Sequence, residues 1–377
     1  MPEFISRPDS SWSRRNLLHV IGAGASTLMA EIVEGQPAFA APPSADEGSL
    51  KGAGAKSGIL FGLCEPGSRF AQERIYFEKI AGECNLFSPG NDFNWATLQK
   101  DQAQLRYAQL DGVAAFCRDS RLGMLGHTLA WYYAVPAWAK VLDPSEFAPA
   151  FRTYVEKTVE RFADIVSRWD VVNEAVHPRS NREDGLRESA FLEKLGPTYI
   201  QEAFSIARQA APQGLLCINE YGVEYDEPAQ ARKRASFLEL LRSLRRANAP
   251  VNVVGLQSHL DASKTFDIPG LTVMLREIKD LGFQIAITEL DVNDQMLPGD
   301  ILVRDNLCAQ HVDGYLACVF SEMRPISITT WGFTDSHSWL NNLFNRSDGM
   351  PLRPLAFDDQ FSRKPLWHII KKYLVTT

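Results

Sequence analysis

Two glutamates that each follow a short apolar segment are the clearest candidates for chemistry in this sequence. Glu174 follows WDVVN and Glu289 follows QIAIT, and both segments have the length and composition of buried strands. Either glutamate alone could equally be a helix cap or half of an ion pair. A buried carboxylate carries a desolvation cost, so two near each other indicate partners or chemistry. Such a pair suits glycoside hydrolysis, in which one carboxyl protonates the departing oxygen and the other attacks or activates water.

Three tryptophans in predicted loops support the same chemistry. An indole can stack on the apolar face of a pyranose and donate one N–H, and Trp131, Trp331 and Trp339 all follow or flank predicted strand ends. An isolated tryptophan is better explained by core or rim packing. The three together favour a sugar-binding platform.

The elements that must position these side chains alternate regularly from residue 58 onward. Short apolar runs of strand length occupy residues 59–64, 83–87, 123–127, 168–173, 215–219, 253–257, 284–289 and 326–331. Stretches with apolar residues three and four apart lie between them, at 98–117, 151–166, 199–210, 231–247 and 303–322. Eight strand-length runs, with helical stretches between them, predict an α/β fold, a closed (β/α)8 barrel in a single catalytic domain. The alternative is an open doubly wound sheet, but FGLCEPGSRF after the first strand lacks its GxGxxG loop.

Polar and aromatic residues gather where these strands end. In a barrel of this kind the C-terminal strand ends form the active-site face, so residues distant in sequence should converge there. The residues at these ends are His127, Trp131, Asn173, Glu174, Asn219, Gln257, His259, Glu289, Trp331 and Trp339.

Five segments in this order carry a specific resemblance. They are GHTLAWYYAVPAW (126–138), WDVVNEAV (169–176), VVGLQSHL (253–260), AITELDV (286–292) and WGFTDSHSWL (331–340). From about residue 58 to 374 the chain resembles glycoside hydrolase family 10, the retaining endo-β-1,4-xylanases and related glycanases. NEYG (219–222) and KPLWHII (364–370) resemble two further family segments more loosely.

The resemblance implies a role for each matching residue. Glu174 would be the acid/base and Glu289 the nucleophile, with their carboxyl groups about 5 to 5.5 Å apart. His259 would hold Glu289 by a hydrogen bond, and Asp291 would orient His259 from behind. Asn173 would hold the 2-hydroxyl of the sugar. The resemblance also implies substrate contacts for Asn91, His127, Trp131, Tyr221, Gln257, Trp331 and Trp339.

Four positions depart from the family pattern on one side of the expected cleft. Gly90 replaces a glutamate, Asn94 a lysine, Tyr132 a histidine and Ala134 a glutamine. Each lost hydrogen bond to a sugar hydroxyl could be worth about 0.5 to 1.5 kcal/mol. We therefore expect β-1,4-glycan hydrolysis, with xylan, a decorated xylan or a different branched glycan such as an exopolysaccharide as the substrate.

The N-terminal region resembles an export signal. Arg14 and Arg15 precede a short apolar stretch, and small residues at 38 and 40 resemble a signal-peptidase site. The alternative is an amphipathic helix with a fortuitous arginine pair. We predict a twin-arginine-type signal over residues 1–40, a flexible linker over 41–57 and the hydrolase domain over 58–377. A bacterial protein of this kind would be periplasmic or secreted.

Composition and charge limit the classes of partner, metal and cofactor that the sequence predicts. The net charge is −7, so no basic field is available for nucleic acid, and no segment after the N-terminal region reaches the length of a membrane span. Six cysteines without a CxxC pair and seven histidines without HxH or HExxH spacing disfavour a metal-dependent hydrolase. The sequence leaves open a disulfide between Cys308 and Cys318 or buried thiols. We expect a monomer that binds a polysaccharide and needs no cofactor or metal; a non-catalytic carbohydrate-binding barrel is the other alternative.

Overall fold

Apolar segments form a closed ring of eight parallel strands in the computed structural model, which describes residues 48–70 and 73–376. A ninth short strand, β7, pairs with the C-terminal half of β8, and the ring closes where β6 pairs with β8. In chain order the strands are β1 (Leu60–Cys64), β2 (Leu86–Ser88), β3 (Gly123–Trp131), β4 (Val166–Asn173), β5 (Leu215–Glu220), β6 (Val253–Leu256), β7 (His259–Asp261), β8 (Gln284–Asn293) and β9 (Ser327–Thr330).

Helices follow the strands and cover the outside of the ring. The described residues contain α1 (Leu50–Ser57), α2 (Arg74–Glu83), α3 (Trp95–Leu98), α4 (Ala108–Asp119), α5 (Ala137–Lys140), α6 (Pro144–Phe162), α7 (Ala190–Leu195), α8 (Tyr199–Ala210), α9 (Pro228–Arg246), α10 (Ile268–Asp280), α11 (Ile301–Glu322) and α12 (Pro365–Val375). Four 3-10 turns lie at Gly67–Arg69, Gly90–Phe93, Asp335–His337 and Trp339–Asn342. The predicted (β/α)8 barrel is confirmed.

Local sequence sets the helix boundaries. Before α6, the side chain of Asp143 accepts a hydrogen bond from the main-chain N–H of Glu146, whose side chain accepts one from the N–H of Asp143. This is a capping box, and Pro144 at the first helical position suits it. The helix predicted over 98–117 begins only at Ala108. Residues 101–103 form a turn in which Asp101 accepts from the N–H of Ala103, which diverts the chain before the helix can start.

The interior of the barrel contains a buried ionic contact that supports the strand ends. Arg168 lies on β4, and its Nη1 donates to Ser327 Oγ of β9 at 2.9 Å. These two strands are not neighbours, so the side chain crosses the lumen. Arg168 Nε also lies 3.4 Å from Asp170 Oδ1 on the same strand. The barrel interior therefore supplies a fixed positive charge beneath Asp170.

The predicted linker requires a correction. Residues 50–57, assigned from the sequence to a flexible segment, form helix α1. Ser49 caps this helix by accepting from the N–H of Gly52, and Leu50 is fully buried. Lys51 Nζ donates to the carbonyl oxygen of Ala81 at 2.9 Å. The small residues of LKGAGAKS resemble a linker, but they form a helix here because the cap and the buried leucine fix it. The predicted signal over residues 1–40, and residues 41–47, lie outside the described part of the chain.

All six cysteines are buried free thiols. Cys308 and Cys318 both lie on α11, ten residues apart, so they are separated by about 15 Å along the helix axis. A disulfide needs Cα atoms within about 7 Å, which rules out the Cys308–Cys318 pair. Among the described residues, no helix is both long enough and apolar enough to cross a bilayer.

The close approach of β3 to Trp169 gives a stability prediction. A Cβ at Gly126 would lie 2.2 Å from a ring carbon of Trp169, which is fully buried. Gly126→Ala should therefore lower the free energy of unfolding by about 1 to 3 kcal/mol or more, through overpacking. Urea unfolding curves measure this change.

Gly112→Ala is the matched control. Gly112 lies in α4, and a Cβ there would meet no atom within 4 Å. Alanine should raise the free energy of unfolding by about 0.5 to 1 kcal/mol because it restricts the unfolded chain and favours helix. Equal stability of the Gly126→Ala variant and the unaltered protein would contradict the packing described here.

Candidate active site

The two glutamates singled out from the sequence meet through a bridge of three amide side chains. Asn219 Nδ2 donates to Glu289 Oε1 at 2.6 Å and to Asn173 Oδ1 at 2.9 Å. Gln257 Nε2 donates to Asn173 Oδ1 at 3.1 Å and to Glu174 Oε1 at 3.3 Å. Asn173 Nδ2 also contacts Glu174 Oε1, at 3.2 Å. These contacts join the ends of β4, β5, β6 and β8, so the carboxylates belong to one site.

Glu174 is a buried carboxyl with a perturbed proton affinity. It follows β4 directly, with a positive φ of 59°, and its side chain points into a protein interior that is almost closed to solvent. Burial raises the pKa of Glu174 to about 7, and the nearby charge of Arg187 opposes this rise. The indole N–H of Trp131 also faces the carboxyl and lowers its pKa, although it lacks full hydrogen-bond geometry. The group can therefore hold a proton near neutral pH, as a general acid must.

Glu289 is held by a second set of contacts that the sequence anticipated. His259 Nε2 lies 3.2 Å from Glu289 Oε2, and His259 Nδ1 lies 2.8 Å from Asp291 Oδ1. Trp339 Nε1 donates to the other oxygen of Asp291 at 2.6 Å. Burial disfavours the imidazolium, but Asp291 and Glu289 outweigh it and raise the pKa of His259 to about 10. His259 is therefore positively charged at neutral pH and lies against Glu289.

His127 extends this set from the neighbouring side of the barrel. Its Nδ1 lies 3.0 Å from Asp170 Oδ2 and 3.9 Å from Glu289 Oε1. Burial opposes the charged form, but Glu289 and Asp170 raise the pKa of His127. Burial also disfavours the carboxylate of Asp170, yet Arg168 and His127 hold its pKa below the usual range. Sequence analysis missed Asp170; its only sign was an acidic residue at an inward position of an apolar strand.

The predicted aromatic residues line the same region. The Trp331 ring lies 5.0 Å from the His127 ring and 6.3 Å from the His259 ring, edge to face in both cases. The Trp339 ring lies 5.0 Å from His259. Trp131 ends β3 beside Glu174 and packs against Tyr133 at 5.4 Å. Three indoles therefore surround the two carboxylates, and Trp331 and Trp339 remain partly exposed.

The residues that depart from the family pattern lie at the mouth of β2 and β3. Asn91 is exposed in the turn after β2 and accepts a hydrogen bond from Asn94 Nδ2 at 3.1 Å. Gly90 has φ +58°, a conformation that disfavours any side chain, and a Cβ there would contact only Cys64 Sγ, at 3.6 Å. Ala134 is buried and accepts from the N–H of Ala96. This end of the cleft lacks the long polar side chains of the family pattern.

Trp95 stands where the family pattern also has a tryptophan, and it is a fully buried core residue. Its ring stacks on Tyr154 at 5.4 Å with an interplanar angle of 9°, and it also packs against Phe147 and Phe151. The indole N–H donates to Gln99. The match at this position therefore reflects packing of α6 against the β2 loop.

A group of charged residues near Glu174 was missed from the sequence. Arg187 Nε donates to the main-chain carbonyl of Glu174 at 2.9 Å, and its Nη2 donates to Tyr221 Oη at 2.8 Å. Lys233 Nζ lies 2.7 Å from Glu220 Oε1 and 3.2 Å from the centre of the Tyr221 ring. Arg187 follows Glu174 by thirteen residues in an irregular segment, and Lys233 lies inside α9. Neither position shows a spacing that sequence reasoning could use.

The described residues contain no group of three or more His, Cys, Asp or Glu side chains arranged to hold a metal ion. The site therefore contains two carboxyl groups in different surroundings. Glu174 lies beside Arg187 and the indole of Trp131, and Glu289 lies beside the charged His259.

Known proteins share this fold and sequence pattern. A model of glycosyl hydrolase family 10 matches residues 49–373. Endo-1,4-beta-xylanase 1 of Humicola insolens is 29% identical over 294 residues, which cover 76% of this chain and 64% of that protein. Endo-1,4-beta-xylanase B of Thermotoga neapolitana is 26% identical over 302 residues, covering 79% and 83%. The crystal structure of native xylanase 10B from Thermotoga maritima has a TM-score of 0.77 at 27% identity, covering 86% of this chain and 98% of that one.

The charge on His259 can be tested directly. Asp291→Asn removes the carboxylate that most strongly favours the imidazolium, so the pKa of His259 should fall well below about 10. NMR titration of the imidazole resonances measures this value. His311, whose pKa burial lowers to about 4, lies against Tyr225 and Phe266 and is an internal reference that should not move. An unchanged His259 titration in the variant would contradict the electrostatic role assigned to Asp291.

Proposed function

The chain belongs to glycosyl hydrolase family 10, and on that basis we propose that it is a retaining β-glycanase with Glu174 as acid/base and Glu289 as nucleophile. The bridge from Glu174 through Gln257, Asn173 and Asn219 to Glu289 is the observation that carries the proposal. It joins both carboxyls in one hydrogen-bonded network, and we propose that a single sugar ring binds between them. Direct attack requires a separation of about 5 to 5.5 Å between them.

In the first step, Glu289 attacks the anomeric carbon and Glu174 protonates the departing glycosidic oxygen. The bond from the anomeric carbon to the leaving group breaks as the bond to Glu289 forms. The pKa of Glu174, about 7, supports a protonated acid at neutral pH. His259, charged and 3.2 Å from Glu289, orients the nucleophile and offsets its charge before attack.

In the second step, Glu174 takes a proton from water as the water oxygen attacks the anomeric carbon, and Glu289 leaves as a carboxylate. The ester to Glu289 carries no negative charge, so the pKa of Glu174 should fall while the intermediate persists. This fall would allow one residue to act first as acid and then as base. Two displacements at one carbon give net retention of configuration.

The remaining site residues suit the binding of a sugar at the reacting position. The amide of Asn173 lies between the two glutamates, where it can contact the 2-hydroxyl. His127 lies 3.9 Å from Glu289 and Gln257 contacts Glu174, so both would contact the sugar at the reacting position, with Tyr221 and Asn91 as further contacts. Trp131, Trp331 and Trp339 would bound the ring with apolar surface. Each of these contacts is part of the proposal.

We further propose that the substrate is a β-1,4-linked xylan-type polysaccharide carrying substituents, or another branched β-glycan. A Cβ at Gly90 would meet only Cys64 Sγ, Ala134 has a short side chain where the family pattern has a glutamine, and Asn94 donates its side-chain amide to Asn91. Loss of these hydrogen bonds should lower the affinity for an unsubstituted glycan chain, whereas the added space at this end of the cleft should accommodate a branch. The relatives' names mention endo-1,4-beta-xylanase, which supports xylan as the backbone.

Export is proposed from the sequence alone. The arginine pair at 14 and 15 and the small residues at 38 and 40 support a twin-arginine-type signal over residues 1–40. The hydrolase domain would then begin near residue 49, where the family match starts, and act outside the cytoplasm as a monomer.

Removal of the nucleophile tests catalysis. Glu289→Ala should reduce release of an aryl leaving group from an activated β-glycoside by at least about 1,000-fold, because no covalent intermediate can form. Release of the phenol is followed by absorbance. Glu183→Ala, an exposed glutamate in the loop after β4, is the control and should leave the rate unchanged. Equal activity of the Glu289→Ala variant and the unaltered protein, or no activity in either, would end the proposal.

A glycan panel tests the substrate. With two or more distal hydrogen bonds missing, kcat/KM on substituted xylo-oligosaccharides should exceed that on linear ones by about 10-fold or more. Chromatography of the products measures both rates, and an activated aryl glycoside serves as the common reference. A strong preference for the linear chain would contradict the role given to Gly90 and Ala134.

A further inference from the structure

We propose that Arg187 is a positioning residue for Glu174, which it holds in place and whose carboxylate form it stabilises for the second half-reaction. This inference rests on the proposed function, in which Glu174 acts first as acid and then as base. In this proposal Tyr132, which departs from the family pattern, holds the Arg187 side chain in place.

Arg187 grips the acid/base residue at two points. Its Nε donates to the carbonyl oxygen of Glu174 at 2.9 Å, and its Nη2 lies 3.8 Å from Glu174 Oε2. The first contact fixes the backbone at the residue with φ 59°, and the second places a permanent positive charge beside the carboxyl. Glu174 Oε2 makes no hydrogen bond with full geometry among the described residues, so besides the indole N–H of Trp131 the nearby cation of Arg187 is what stabilises its charge.

Two tyrosines fix the guanidinium. The Tyr132 ring lies 4.1 Å from the guanidinium carbon, and Tyr221 Oη accepts from Nη2 at 2.8 Å. Arg187 is only 4% exposed, so the cation–π contact and the ion pair act in a desolvated setting where both are stronger. A histidine at position 132, as in the family pattern, would present a smaller ring that repels Arg187 when protonated. The tyrosine ring carries no positive charge that could repel the guanidinium.

Lys233, the second buried cation near Glu174, is already paired with a carboxylate. Lys233 Nζ pairs with Glu220 Oε1 at 2.7 Å, and Glu220 also accepts from the N–H groups of Tyr221 and Val176. The Lys233–Glu220 pair therefore adds little net charge at Glu174. Arg187 has its ion-pair contact with Glu174 itself, so it is the cation that favours the ionised form of this carboxyl.

The other titratable groups around Glu174 keep their identities when Arg187 is replaced, although Tyr221 loses the donor Arg187 Nη2, a loss that the Tyr221→Phe variant tests separately. His127 on β3 and its partner Asp170 on β4 face Glu174 from one side. Glu289 on β8 and its partner His259 on β7 face Glu174 from the other strands. Glu220 and Tyr221 face it from the end of β5, and Lys233 from α9. A change in Glu174 titration on substitution of Arg187 alone can therefore be assigned to the loss of that cation.

The expected effect differs between the two half-reactions. Without Arg187 the carboxylate is less stable, so Glu174 keeps its proton to higher pH. The acid role persists, while the base role weakens because less of Glu174 is ionised in the intermediate. A residue with a purely structural role would lower both steps without moving the titration.

The experiment compares Arg187→Met with Arg187→Lys and with Arg182→Met in the full chain. Arg182 lies in the same loop, where its cation is exposed and paired with Asp184, so it is the matched control. The basic limb of the kcat/KM profile should move up by about one pH unit or more in Arg187→Met, move less in Arg187→Lys, and stay in place in Arg182→Met. The substrate is an aryl β-xylobioside with a poor leaving group.

A second measurement uses an aryl glycoside whose leaving group needs no protonation. In Arg187→Met, kcat and KM should fall together by about 10-fold, with a burst of released phenol, because the covalent intermediate accumulates. Tyr221→Phe, which removes the hydroxyl that accepts from Arg187, should shift the basic limb in the same direction by less. If circular dichroism shows that Arg187→Met does not fold, the Tyr221→Phe variant provides the test instead.

An unmoved basic limb in folded Arg187→Met, or in Tyr221→Phe where Arg187→Met does not fold, would overturn the inference. So would activity reduced equally at every pH without a burst. If Glu289→Ala is inactive, both of these results would overturn only the role of Arg187, and the proposed function would still hold. Retained activity in Glu289→Ala would instead overturn the proposed function, whatever Arg187 does.

Discussion

Two buried carboxylates held close together form the constraint on which the rest of this site depends. Uncompensated, they would repel each other and carry a large desolvation cost. The side chains of Asn173, Asn219 and Gln257 meet this constraint by donating amide hydrogens into the gap from three strand ends. A (β/α)8 barrel suits the arrangement, because parallel strands deliver residues far apart in sequence to one face.

The surroundings of the two carboxyls differ, and the proposed chemistry follows from that difference. Glu289 lies against an imidazolium that Asp291 keeps charged, while Glu174 lies in a nearly dry pocket with one guanidinium beside it. Beneath them, Arg168 holds Asp170 ionised, which in turn fixes His127. A positive charge thus lies within 4 Å of each acidic group, and the indoles would provide apolar surface towards the substrate.

Strand periodicity predicted the barrel and the two glutamates at strand ends, because both are local properties of the sequence. The His259–Asp291 contact was implied by the family resemblance and not by periodicity. Sequence reasoning missed Arg187 and Lys233, which reach the site from an irregular segment and from a helix, where no spacing indicates direction. It assigned residues 50–57 to a linker because glycine, alanine and serine dominate there. One buried leucine and a serine cap decide otherwise, and that choice depends on tertiary packing which composition does not reveal.

The proposed mechanism requires direct attack by one carboxylate while the other serves as acid. The anomeric configuration of the first product tests it most directly, through proton NMR spectra recorded in the first minutes of hydrolysis of a β-1,4-linked oligosaccharide. The account predicts that the β-anomer appears first and mutarotates later to the equilibrium mixture. Initial appearance of the α-anomer would mean a single displacement by water, and would contradict the roles given to Glu174 and Glu289.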